Sequence, residues 1–212
     1  KSLSLYSGFA QGHMWHGSYL QTMGQNQEAR RAFKRALELD PNSLMARNSL
    51  VYQSFVERDY DRSTREFEVL LDESPNFLPA LDGYYFSLLG SERYQDALQV
   101  GEKFRGIRNN DAYSTDMYTR VLVRLGRLDE AKSLVDNHPE RDTHDWLEYY
   151  LALGDVEQSL AAITRNRDDG FYRIRMLVLS DYDALRDDDR YWEYLEENGY
   201  PHIPPPAIRC MS

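Results

Sequence analysis

Cysteine is almost absent. Cys210 stands alone in 212 residues, so no internal disulfide can form. A single thiol in the C-terminal tail, without a positioned base, is also a poor nucleophile. Long apolar runs are missing as well. Nothing approaches the roughly 18 apolar residues of a membrane span, and no opening stretch reads as a signal peptide. Basic charge is outnumbered, with 25 Lys and Arg against 35 Asp and Glu, a net charge of −10. That balance repels nucleic acid and anionic membrane, so neither is an expected partner of this segment. No Gly-x-Ser-x-Gly, phosphate-cradling glycine loop, His-Glu-x-x-His or Cys-His set occurs, so no catalytic residue, cofactor or metal is expected. Aromatic residues, by contrast, reach 13 %, with 16 tyrosines. Disordered chains are poor in aromatics, so a packed core is expected.

What fills the chain is a repeat. Ala29, Ser63, Ala97 and Ala131 lie 34 residues apart in each step, and all are small. The same offset links Leu20, Ser54, Leu88 and Leu122, then Phe33 with Phe67, Pro41 with Pro75 and Asn42 with Asn76. Inside the first unit, two short amphipathic patterns flank Gly24, where a left-handed residue costs glycine least. Asn26 is expected to cap the second helix, with Glu28 in its first turn. Ala29 and Ala36 allow close helix approach, and Asp40-Pro41-Asn42-Ser43 stops one helix and starts the next.

These residues resemble the tetratricopeptide-repeat (TPR) family, whose signature places small residues, Gly, Ala, Phe and Pro at these offsets. The resemblance implies an all-α fold, a right-handed superhelix with C-terminal capping helices. Repeats align at about 10–43, 44–77, 78–111 and 112–139, with a degenerate fifth at about 140–167 around Gly154 and Ser159. A capping segment at 170–200 follows, with Phe171, Ile174 and Val178 on one face and Tyr191, Tyr194 and Leu195 on another. The tail 201–212 is Pro-rich and expected to be extended. Arg58 replaces the mid-repeat glycine of the second unit. Gly101 stands where a bulky core residue belongs, and the proline after it is lost, so an irregular junction is expected around Gly106 to Asn110.

The segment Tyr182 to Tyr191, followed by Leu195 and Gly199-Tyr200-Pro201, resembles the closing segment of certain bacterial TPR regions. Those regions follow winged-helix transcriptional regulators or class III adenylate cyclases. That resemblance implies a piece of a larger signalling or transcription-regulatory protein. A stand-alone assembly scaffold and the regulatory part of a nucleotide cyclase are the alternatives. The chain opens at Lys1 rather than Met, so an upstream segment is expected, and a cytoplasmic location is favoured over a periplasmic one.

Two clusters invite a metal reading. His13 and His16 are spaced i, i+3 but lack a third ligand, so packing positions near a solenoid end are expected. Asp181, Asp183, Asp187, Asp188 and Asp189 fail the calcium-loop spacing, because Arg186 and Trp192 occupy its Gly and Glu positions. Asp187 to Asp189 are expected to cap the final helix instead.

In a TPR array the first helix of each pair lines the concave face. The register therefore names a partner-binding groove: Met14, Trp15 and Ser18, then Asn48, Tyr52 and Phe55, then Asp82, Phe86 and Leu89. Asp116 and Arg120 follow, then His144 and Glu148. Aromatic anchors with a few polar neighbours suit a protein or peptide ligand, apolar or basic. The carboxylate clamp of chaperone-binding TPRs is absent, since Met14 and Ser18 occupy its positions. A homo-oligomer is compatible with the sequence.

Overall fold

The computed structural model describes residues 9–140, 146–165 and 180–199. Five helical pairs come first: α1 (Ala10–Thr22) with α2 (Asn26–Leu39), α3 (Leu44–Val56) with α4 (Tyr60–Glu73), and α5 (Leu78–Gly90) with α6 (Tyr94–Ile107). Then come α7 (Ala112–Arg124) with α8 (Leu128–Asp136), and α9 (Leu147–Leu153) with α10 (Val156–Arg165). A 3-10 turn (Ser180–Leu185) and α11 (Asp189–Glu197) close the described chain, and no strand occurs among the described residues. From α1 to α8 each helix packs on its sequence neighbours, and α3 meets α5 as α7 meets α9, so the pairs stack as an α-α solenoid.

Side-chain caps fix several of the helix starts. Ser43 accepts from the Ala46 N–H, Asp59 from the Arg62 N–H and Asp111 from the Ser114 N–H. Asn26 does not act in this way. The N-cap of α2 is Gln25, which makes no side-chain cap bond, so Asn26 is already inside the helix. Glu28 does sit in its first turn. Left-handed backbone ends the first helix of a pair at Gly24, Gly126 and Gly154, and Arg58 and Glu92 adopt the same conformation without being glycine.

Packing follows the repeat columns. Ala29, Ser63, Ala97 and Ala131 are fully buried. Gly83 is needed because a Cβ there would sit 2.2 Å from the Phe67 ring of the preceding pair. At Gly101 the void left by the missing bulky residue is taken by Tyr85 and Tyr118, whose rings lie 3.3 and 3.5 Å from where a Cβ would stand. The aromatic that the column lacks on α6 is thus supplied by α5 and α7. Tyr85 then donates its hydroxyl proton to the Met117 carbonyl, which ties α5 to α7.

The junction after α6 is irregular in backbone, as expected, yet it keeps the 34-residue register. Asn109 and Asn110 both take left-handed backbone (φ 55° and 56°), a conformation asparagine tolerates better than most side chains. The Asn110 N–H returns to the Arg105 carbonyl at 2.9 Å, which ends the helix without a proline. The first helices of pairs one to four consequently begin at 10, 44, 78 and 112.

Apolar burial divides into two groups. Met14, Leu20, Ala29, Ala32, Phe33, Ala36 and Ala46 form one within the first pair and its seam. The other runs from Tyr52 through Leu160 and Ile163, and takes in Tyr182, Leu185, Tyr191, Tyr194 and Leu195. Asp188 caps α11 by accepting from the Arg190 N–H, and Asp189 lies in its first turn. The expected apolar face at Phe171, Ile174 and Val178, the Pro-rich tail and Cys210 lie outside the described residues.

Candidate functional site: the inner wall

α3, α5, α7 and α9 lie side by side, and their groove positions meet. The Tyr52 and Phe55 rings stand 4.9 Å apart, and Phe55 lies 5.9 Å from Tyr60. The Arg120 guanidinium sits 5.3 Å over the Phe86 ring, a cation–π contact, and also donates to the Glu148 carboxylate. Asp116 accepts from the backbone N–H groups of Glu148 (3.2 Å) and Tyr149 (3.0 Å). It therefore caps α9 from the neighbouring pair, because α9 begins after a left-handed Trp146 that offers no side-chain cap. Asp82 accepts a hydrogen bond of 2.7 Å from the Tyr113 hydroxyl.

The expected open surface is corrected in one respect: most of these residues are inside. Phe55, Phe86, Asp116 and Glu148 are 0 % exposed and Arg120 is 1 %. Asp82, Asn48, Tyr52, Leu89 and Met14 are buried too. Neighbouring first helices pack so closely that the charges satisfy one another rather than face water. A buried carboxylate or guanidinium is tolerated only when paired in this way. The acidic groove expected to favour a basic ligand is therefore engaged within the fold. His144 lies outside the described residues.

Trp15 belongs to a different face. It shares its register with Gly83, and Tyr19 shares the register of Ser87. Gly83 seats Phe67, and the Ser87 hydroxyl lies 2.7 Å from that of Ser63, so this face receives the preceding pair. In α1 Trp15 and Tyr19 remain 64 % and 60 % exposed, with the Phe9 ring 6.1 Å from Trp15. Ser18 is exposed and returns its hydroxyl to the Met14 carbonyl at 3.2 Å. Among the described residues, no three His, Cys, Asp or Glu side chains gather as a metal-ligand set, and no helix is long and apolar enough to cross a membrane.

Sequence reasoning missed a second cluster. Arg58, at the turn after α3, makes a two-pronged ion pair with Asp183 in the 3-10 turn, at 2.9 and 3.2 Å. Arg186 shares the same carboxylate. Burial lowers the pKa of both guanidiniums and pushes that of the neighbouring Tyr191 phenol up. The available signal was Arg58 itself, a charged residue at a column held by glycine in the first and fourth repeats.

An α-α solenoid of helical pairs at this spacing, with a self-satisfied inner wall, defines a TPR fold. Residues 10–43 match the family profile described as "Tetratricopeptide repeat". In fold the chain is similar to TTC0263, a thermophilic TPR protein of Thermus thermophilus, with a TM-score of 0.58, 20 % identity, and coverage of 89 % of this chain and 100 % of that one. It is also similar to YrrB, described as a TPR protein with an unusual peptide-binding site, with a TM-score of 0.52, 17 % identity, and coverage of 92 % and 96 %. Among curated proteins it is similar to human DnaJ homolog subfamily C member 7, 27 % identical over 136 residues. That alignment takes in 58 % of this chain, and the chain spans only about a quarter of the relative's length, 27 %.

Proposed function

We propose that this chain is a protein-binding scaffold without chemistry of its own, which takes an apolar peptide or helix along the wall formed by α3 and α5. The observation that supports it most is that Tyr52 and Phe55, whose rings meet on α3, share one apolar group with Phe86 and Leu89 of α5. Aromatic anchors of this kind dominate protein interfaces. The charges of Asp82, Asp116, Arg120 and Glu148 are engaged internally, so the ligand favoured is apolar rather than basic. YrrB, similar in fold, carries a peptide-binding site by its description. The setting we propose is the interaction region of a larger bacterial signalling or transcription-regulatory protein, on the sequence resemblance of the segment from Tyr182 to Pro201. Sequence upstream of Lys1 tests that setting, and a winged-helix or cyclase region there is the expected result.

A photo-crosslinking phenylalanine placed at Tyr52, and separately at the exposed Val69 of α4, tests the binding surface. Adducts with a partner are expected from position 52 and not from 69. Adducts confined to Val69, or to Trp15 when it is substituted in the same way, refute the inner-wall reading.

A further inference from the structure

In a solenoid each repeat touches only its neighbours. Residues 180–199 break that rule. Asp183 pairs with Arg58 across 125 residues of sequence, which joins the last described segment to the second helical pair. The same segment is fastened to the fifth pair, because Arg190 makes a two-pronged contact with Glu157 at 2.8 and 3.0 Å. The 3-10 turn packs on α9 and α10, and α11 packs on α10. A link held at pair two and at pair five has to pass pairs three and four. Tyr182, Leu185, Tyr191, Tyr194 and Leu195 are buried in the same apolar group as Tyr52, Phe55 and Phe86.

Arg58 also carries a backbone cost. Its φ is 57°, the left-handed region in which Gly24, Gly126 and Gly154 stand at equivalent turns. Glu92 adopts the same conformation but is exposed, whereas the Arg58 side chain is only 4 % exposed and ends on Asp183. A strained residue whose side chain closes a long-range contact points to a purpose for that contact.

We propose that residues 180–197 are an intramolecular strap over the inner wall, clasped by Arg58 and Asp183, whose release opens the row Tyr52–Phe55–Phe86 to a partner. This rests on the scaffold reading above and adds its regulation: a partner engages the wall in the fraction of molecules whose clasp has yielded. Partner affinity is reduced by the fraction of molecules with the strap in place.

The experiment uses the full chain with Cys210→Ser and a reporter thiol at Tyr52→Cys, labelled with a maleimide, beside amide hydrogen exchange over residues 189–197. Asp183→Asn and Arg58→Gly each break the clasp, and the second restores the glycine found at the same turn in other repeats. Exchange in α11 and labelling at position 52 are both expected to rise by about tenfold or more. Unchanged exchange means that the clasp does not hold the segment. Faster exchange with unchanged labelling means that the strap does not cover the wall. Either result overturns the proposal. Should Tyr52→Cys not fold, Asn48→Cys serves as reporter, being closer in size and buried on the same helix. The scaffold reading fails separately, if the crosslinker at Tyr52 gives no adduct even in Asp183→Asn.

Discussion

Removing the Glu148 carboxylate while leaving Arg120 in place takes a charged partner from a guanidinium that is 1 % exposed. In the intact protein that cation has both a carboxylate and the Phe86 ring against it. The ring offers about 0.5–2 kcal/mol of attraction and cannot replace a full negative charge. Breaking a buried ion pair from one side costs about 3–5 kcal/mol, because the survivor remains desolvated and uncompensated. Glu148→Leu should therefore destabilise by about 4 kcal/mol, a large share of a domain's total stability. In urea, with a slope of about 2–3 kcal/mol/M, the midpoint should fall by about 1–2 M. Trp146, buried two positions before Glu148, reports that transition by fluorescence alongside far-UV circular dichroism. The double change Arg120→Met with Glu148→Leu removes both charges and should recover most of the loss, since apolar replacement of a buried pair is often neutral or better. A cost below about 1 kcal/mol for Glu148→Leu refutes the reasoning. So does a double variant as unstable as the sum of its single changes, because independent sites add and coupled ones do not.

Gly83→Ala should destabilise, because its Cβ would meet the Phe67 ring at 2.2 Å, and overpacking costs about 1–3 kcal/mol; combining it with Phe67→Leu should restore part of the thermal midpoint. Asp116→Ala leaves the Glu148 and Tyr149 N–H groups without their acceptor, at about 1–3 kcal/mol. Their amide exchange should quicken before that of α7. Burial and a bond to Glu68 push the Tyr84 phenol up to about 12. The fold thus holds this proton more tightly than the unfolded chain, whose tyrosines titrate near about 10. The stabilisation is fully present below about pH 10 and lost as pH rises through about 12. A tyrosine ring signal titrating well above the exposed tyrosines by NMR, and missing in Tyr84→Phe, is the expected result.

The helical pairs were legible because the 34-residue columns are local: alanine, glycine and phenylalanine each have one place in the pair that suits their size. What could not be read was which apolar first-helix residues remain open to water. Tyr52 and Phe86 hold the groove register, yet their exposure depends on how tightly α3, α5 and α7 approach, and Gly101 and Tyr85 set that approach through contacts between helices. Replacing Tyr52 or Phe86 by Ala, expected from the sequence to weaken partner capture about thirtyfold or more, would therefore also open a cavity in the core. That is why a crosslinker reads binding more cleanly. Asp116 and Glu148 illustrate the same limit, since a carboxylate that caps a neighbouring helix looks in sequence like one waiting for a ligand. Arg58 was visible as a departure, but its partner lies 125 residues away, beyond the reach of any repeat comparison.

The clasp changes how the array comes apart. An open solenoid unfolds from either end, one unit at a time, since each unit is held only by its neighbours. With residue 58 fastened to residue 183, α4 to α10 lie inside a closed circuit, and fraying that reaches α10 from the C-terminal side must first break Arg58 from Asp183. The first pair lies outside that circuit and has its own apolar group around Phe33. Denaturation should accordingly proceed in two waves, with α1 and α2 melting alone and the rest lost together as one cooperative block.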